Sequence, residues 1–184
     1  LPCDETRQDA IALHEVISTR FTHPRGGFHE SLPPAKCRRQ NPHMHLFEAY
    51  LAATEAFGPS VFLQRAHGLA RFFLERLWYS GEKCVPECLD ELFNAQLEDG
   101  RFVTEPGHLA EWARLLLWYW TVVVKLGQEP EVDVLPAVRS LTGFYEHHGF
   151  DRTSGALVDE VWSDGSSKSS SQRLWPQTER IQAE

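Results

Sequence analysis

Gly107-His108-Leu109-Ala110-Glu111-Trp112-Ala113-Arg114-Leu115-Leu116-Leu117-Trp118-Tyr119-Trp120-Thr121-Val122-Val123-Val124-Lys125-Leu126 carries apolar side chains on almost every side of a 3.6-residue helix. Such a helix is buried by neighbours on several sides, which makes this chain a layered helical protein built around it. Gly127 ends the segment. Working outward, 131–148 and 172–184 have helical patterns downstream. Upstream, Ile11, Leu13, Val16 and Ile17 predict a helix over 5–19. Pro42 opens another that runs to Phe57 before Gly58-Pro59, and Ser60 caps a third reaching Tyr79.

Between these helices lie Gly-turned loops. Gly26-Gly27-Phe28, Asp99-Gly100-Arg101-Phe102-Val103 and Gly155-Ala156-Leu157 each follow a helix and precede another. The repeating unit is therefore a pair of helices closed by a short strand or hairpin, with Gly155–Trp162 the longest strand expected. Stacked units of this kind form a solenoid or a closed toroid. Burial on both sides of the inner helices favours closure, while the period alone leaves both open.

At 184 residues the length fits one domain that buries roughly 70% of its unfolded surface. Eighteen Lys and Arg against 26 Asp and Glu give a net charge of −8, which argues against nucleic acid or an anionic membrane as partner. No apolar run approaches the roughly 18 residues of a membrane span. Cys3, Cys37, Cys84 and Cys88 are too few for a disulfide scaffold and are expected to be reduced thiols in a cytoplasmic protein. Cys84-Val85-Pro86-Glu87-Cys88 has a zinc-compatible gap but no second pair downstream. The chain opens on Leu1 and not Met, its first residues have no signal-peptide pattern, and Thr178–Glu184 stops without a helix terminator, so both ends read as cut from something longer.

Three segments bear residues suited to chemistry. In Asn41-Pro42-His43-Met44-His45-Leu46-Phe47-Glu48-Ala49, His43 and His45 lie about 200° apart on the helix, so one site takes only one of them. His45, Glu48, Ala52 and Glu55 form the polar stripe, which faces either bulk solvent or a polar cavity. In Glu105-Pro106-Gly107-His108-Leu109-Ala110-Glu111-Trp112, His108 and Glu111 are neighbours in the first turn of the most apolar helix. The helix N-terminus disfavours imidazolium and keeps His108 neutral, while Glu111 pulls the other way and orients the ring. Their plain alternatives are a satisfied core histidine and a first-turn charge. Arg173-Leu174-Trp175-Pro176-Gln177-Thr178-Glu179 offers a Trp, a Gln and a Glu able to stack on and hydrogen-bond a sugar. Glu179 serves equally as a helix-dipole partner. Phosphate loops, nucleophile elbows and His-Glu-x-x-His zinc motifs are missing, and no carboxylate spacing favours a glycosidase. Two acid–base histidines in separate apolar helices suit proton abstraction beside a carbonyl.

Arg38–Ala49, Glu105–Trp112 and Trp175–Ala183, in that order, resemble the N-acylglucosamine 2-epimerase family, which includes mannose isomerases, sulfoquinovose isomerase and cellobiose 2-epimerase. The resemblance implies an all-α, partial (α/α)6 toroid of helical hairpins with short β-hairpins in its loops. It implies a cofactor-independent sugar isomerase or epimerase, with a monosaccharide substrate, no metal, and proton transfer through an enediol. His108 matches one catalytic histidine, with Glu111 as its partner, and His45 matches a further histidine that contacts substrate. Arg39, Asn41, Glu48, Trp112, Trp175, Gln177 and Glu179 would line the pocket. The family's other catalytic histidine would lie beyond Glu184 and a substrate-binding arginine before Leu1, so 1–184 reads as a single incomplete domain. Asn41–Ala49 looks closer to the aldose–ketose isomerases of mannose type than to the alternative, an N-acyl-sugar or cellobiose 2-epimerase. From another class, the chain can be read as an inactive helical module that binds a sugar or a protein. Self-association into a homodimer stays open.

Overall fold

The computed structural model describes residues 3–184; Leu1 and Pro2, read above as a cut edge, lie outside the described residues. Acidic Asp4 and Glu5 begin α1 (Asp4–Arg20) and Arg20 ends it, each charge opposing the helix dipole. Pro42 sits in the first turn of α2 (Asn41–Phe57), where its missing N–H costs nothing. The Ser60 hydroxyl accepts the Phe62 N–H at 3.5 Å to start α3 (Val61–Phe72). The expected third helix then changes pitch, passing through one π-turn at Phe73–Leu77. The remaining helices are α4 (Pro106–Lys125), α5 (Leu135–His148) and α6 (Leu174–Ala183).

Of the hairpins that the periodicity predicts, α2–α3 and α4–α5 form. α4 packs between α2 and α6, with α3 backing α2 and α5 backing α4. The core follows from that order. Met44, Phe47 and Leu51 of α2 meet Ala66, Ala70 and Phe73 from the α3 side, and Leu109, Trp112, Leu116 and Tyr119 of α4 fill the centre. Trp112 lies 4.4 Å from the Phe73 ring and 6.0 Å from Phe47. The all-round apolar character of α4 is explained on three sides; Leu117, Trp120 and Val124 form a partly exposed stripe on the fourth.

Gly107 shows how tightly α4 and α6 approach. A Cβ there would lie 2.7 Å from Pro176 Cβ and 2.8 Å from the Trp175 ring, so no larger residue fits between the two helix starts.

Four two-residue strands stitch the loops. β1 (Arg38–Arg39) pairs antiparallel with β2 (Cys88–Leu89), and β3 (Val103–Thr104) pairs antiparallel with β4 (Val161–Trp162). The first pair joins the α1–α2 loop to the α3–α4 loop and the second joins the α3–α4 loop to the α5–α6 loop, a register that local sequence cannot express. Single bridges close the turns within the loops, Glu98 with Arg101 around Asp99-Gly100 and Phe150 with Leu157. The long strand expected over Gly155–Trp162 shortens to Val161–Trp162.

The cysteine expectation is corrected. Cys37 and Cys88, 51 residues apart, form a disulfide because the β1–β2 pairing sets their Cα atoms 5.5 Å apart. Such bonds persist in oxidising compartments and are rare in the reducing cytoplasm. Cys3 is free and exposed, and Cys84 is free and buried. No helix among the described residues is long and apolar enough to cross a membrane.

Candidate active site

The first turns of α2, α4 and α6 meet at one end of the helical wall, around a cavity of about 610 Å³. Three positive helix ends therefore face the same space. Five carboxylates oppose them, from Glu48, Glu87, Glu105, Glu111 and Glu179. Of the residues singled out from the sequence, Arg39, Asn41, His45, Glu48, His108, Glu111, Trp175 and Glu179 all line this cavity.

His108 sits at its centre. Its Nδ1 lies 2.9 Å from Glu87 Oε1 and 3.8 Å from Glu105 Oε2, and its Nε2 lies 3.4 Å from Asn41 Nδ2. The Trp175 ring centroid is 4.8 Å from the imidazole. Two expectations change here. The hydrogen-bonding partner is Glu87 from the loop before α4, whereas Glu111 turns to His45, with Oε1 3.6 Å from Nδ1. His108 in the first turn and Glu111 one turn further on both line the cavity, and the nearest opposite partner differs for each. Nor does the helix end leave His108 easily neutral. Burial resists its charge, but Glu87, Glu105 and Glu111 outweigh burial and raise its pKa.

Glu111 is shifted more strongly. Burial is the main cause and the Glu179 and Glu48 charges add to it, so that its pKa rises to about 7 against the opposing pull of His108 and Arg114. Arg114 reaches Glu48 at 2.9 Å and Glu179 at 3.3 Å, tying α2, α4 and α6 together. Arg173 holds Glu105 at 2.7 Å and Asp159 at 3.1 Å. Two trios bring ligand-type atoms within 4.8 Å of one another, His45–Glu48–Glu111 and Glu87–Glu105–His108. In the second, His108 and Arg173 already occupy the carboxylates.

A raised carboxylate pKa has a definite consequence for stability. The folded state prefers protonated Glu111, so this preference contributes below about pH 4.5 and is lost as pH rises through about 7. Glu111→Gln removes the dependence. Urea unfolding is expected to show the variant gaining about 1–3 kcal/mol on the wild type between pH 4.5 and pH 8. A difference that stays flat across that range would contradict the assigned ionisation.

Two expected pocket residues lie elsewhere. Trp112 follows Glu111 by one residue, about 100° round the helix, and its ring is completely buried in the core. Gln177 bridges α6 to the preceding loop, accepting the Leu157 N–H at 2.9 Å and donating to the Leu157 carbonyl at 2.9 Å. Glu87, Glu105, Arg114, Arg173 and Gln182 also line the cavity, beyond the residues that the sequence motifs point to. Arg114 and Gln182 extend the stripes of Glu111 and Glu179 by three residues, a signal present in the sequence. Glu87 has none, being 21 positions from His108 in a loop.

The choice between the two histidines of α2 has a clear structural counterpart. His43 is buried against Phe72, accepts the Phe28 N–H at 2.9 Å, and is held neutral by burial, with its pKa pushed down to about 4. His45 is more than half exposed and opens onto the cavity.

The sequence model of the N-acylglucosamine 2-epimerase family matches residues 3–184. The chain is 33% identical over 174 residues to a mannose-6-phosphate isomerase of Rhizobium meliloti (strain 1021), covering 93% of this chain and 43% of that protein. A D-mannose isomerase of Thermobifida fusca is 34% identical over 90 residues, 44% of this chain and 22% of its own length. Among solved structures, a D-mannose isomerase superposes with a TM-score of 0.80 at 24% identity, covering 97% of this chain and 47% of its own. The cellobiose 2-epimerase of Bacillus thermoamylovorans B4167 does so with a TM-score of 0.76 at 15% identity, covering 98% of this chain and 50% of its own. These superpositions establish the all-α (α/α)6-type architecture, of which the chain spans about half the length. With its hairpins, its cavity and a family match along all its described residues, the chain belongs to the N-acylglucosamine 2-epimerase family.

Proposed function

We propose that this chain carries one wall of the active site of a cofactor-independent aldose–ketose isomerase of mannose–fructose type. The observation that carries the reading is His108, whose Nδ1 is engaged by Glu87 while Nε2 faces a polar cavity floored by Asn41 and flanked by Trp175. On an open-chain sugar, His108 Nε2 takes the proton at C2. The electrons move into a C1–C2 enediol, and return of the proton at C1 gives the ketose. His45 and Glu111, 3.6 Å apart, serve ring opening and the hydroxyl protons at C1 and C2. Transfer from C2 to C1 needs one base on one face of the enediol, whereas epimerisation at C2 needs a proton delivered to the other face. The second catalytic histidine and the substrate-binding arginine implied by the resemblance belong to the rest of the toroid in this reading.

Electrostatics favours an uncharged sugar. Each arginine of the cavity already faces carboxylates, Arg39 with Glu30, Arg114 with Glu48 and Glu179, and Arg173 with Glu105 and Asp159. A phosphate dianion would meet five carboxylates and no uncommitted arginine.

Incubation of the complete protein, with the rest of the toroid present, with D-mannose in deuterated water tests the proposal. Fructose is the expected product, with deuterium at C1 only in the fraction whose proton exchanges with solvent on His108 before its return, and with mannose 6-phosphate left unconverted. Glucose in place of fructose would assign the 2-epimerase alternative. Saturable sugar binding with neither product would assign a binding module and end the isomerase reading.

A further inference from the structure

Behind His108 runs a chain of buried polar groups. It starts at Trp112, which is completely buried in the core and bears an indole N–H that can only donate. That N–H donates to Gln40 Oε1 at 2.6 Å. The contact settles which end of the Gln40 amide points where: the oxygen faces Trp112, so the NH2 faces Glu87. Gln40 is itself fully buried, and its Nε2 lies 3.3 Å and 3.5 Å from the two Glu87 oxygens. The backbone N–H of Glu105 adds a second donor, 3.4 Å from Glu87 Oε1. Glu87 is thus placed as an acceptor, and its Oε1 lies 2.9 Å from His108 Nδ1.

We propose that Glu87 is a positioning residue that holds the proton of neutral His108 on Nδ1 and leaves Nε2 as the basic nitrogen facing the cavity, its direction set by Gln40 and Trp112. The chain has one consistent polarity. Trp112 donates, Gln40 passes the donation on, Glu87 accepts from Gln40, the Glu105 N–H and His108, and His108 presents a lone pair to the substrate side. Reversing any member would place two donors or two acceptors face to face in a buried position, which is costly. The catalytic consequence rests on the isomerase reading given above; the tautomer assignment does not.

Other charges around the imidazole do not replace Glu87. Glu105 lies 3.8 Å from the same nitrogen but is held by Arg173 at 2.7 Å. Glu111 is directed at His45, and Arg114 at Glu48 and Glu179. Asn41 and Trp175 carry no charge. Glu87 is also the loop residue next to Cys88, whose strand pairs with Arg39 beside Gln40. The β1–β2 pairing therefore brings the two middle members of the chain together.

The experiment is a nitrogen NMR titration of histidine-labelled protein, with the His108 signals identified by their loss in His108→Gln. Above its titration, wild-type His108 is expected to show a protonated Nδ1 and an unprotonated Nε2. In Glu87→Gln the titration moves to lower pH and the two tautomers mix. In turnover assays the same variant loses about 10- to 100-fold in kcat, with KM within about threefold. Loss of an orienting carboxylate costs up to about 10⁴-fold where nothing else holds the ring. The acid limb of its kcat/KM profile moves to lower pH along with the NMR titration. Glu87→Asp, which keeps the charge, recovers part of both signals. A merely structural Glu87 would lower kcat through unfolding without moving the tautomer or the acid limb. A proton on Nε2 in the wild type, or an unchanged tautomer in Glu87→Gln, overturns the proposal. If no sugar is converted by any form, the isomerase reading fails while the NMR result still decides the role of Glu87.

Discussion

His108→Asn is expected to lower kcat for sugar isomerisation by about 10²- to 10⁴-fold, the usual worth of a positioned acid–base group. The substitution removes the one nitrogen that both faces the cavity beside Asn41 and is backed by a carboxylate. It also tests the ionisation of the site, because the raised pKa of His108 gives stability and activity opposite slopes with pH. A histidine favoured in its charged form when folded stabilises the protein below its unfolded value of about 6.5, and that contribution fades as pH rises through the folded value. The base, in contrast, works only when neutral, so turnover rises over the same interval. In His108→Asn both slopes attributable to this residue should flatten. Paired activity profiles and urea unfolding between pH 5.5 and pH 9 measure them. Retention of more than a tenth of the wild-type kcat would remove His108 from the mechanism.

The second large effect is expected at Trp112. Trp112→Ala should cost about 3–5 kcal/mol of unfolding free energy, as for other large aromatic deletions from cores. The ring fills the space between Phe73 and Phe47 at the centre of the α2–α3–α4 packing, so its removal leaves a cavity that three helices must share. Gln40 Oε1 is also left buried without its 2.6 Å donor. Trp112→Phe separates the two contributions, keeping most of the ring while losing the N–H, and is expected to cost about 1–3 kcal/mol. Equilibrium denaturation of the three proteins decides it. Equal stability of Trp112→Ala and wild type would mean that the residue does not sit in the core.

Much of the site was legible before any tertiary structure. His45 and Glu48 share a polar stripe, and His108 and Glu111 share one face near the start of an apolar helix; spacing alone places each pair. Gly107 and Trp175 lie in segments marked by the family resemblance, and their contact explains why a glycine begins α4. What periodicity conveys is which residues share a face of one helix. It does not convey what stands opposite. For that reason the spacing points Glu111 to His108, its neighbour along the helix, and not to His45 across the gap. Trp112 illustrates the same limit from the other side. Adjacent to Glu111 in sequence, it was grouped with the pocket, yet one step of the helix turns it into the core.

The sequence by itself determined the six helices, the α2–α3 and α4–α5 hairpins, and the three segments that carry the site, because helix period, caps and glycine turns are local properties. Only the tertiary structure decided that three helix starts converge on one cavity and that Cys37 meets Cys88. The same holds for Glu87, a loop residue without periodicity or motif, which becomes the partner of His108. The physical reason is that a carboxylate finds its hydrogen-bond donors through space, and two-residue strands between distant loops fix that space without leaving a pattern in the chain.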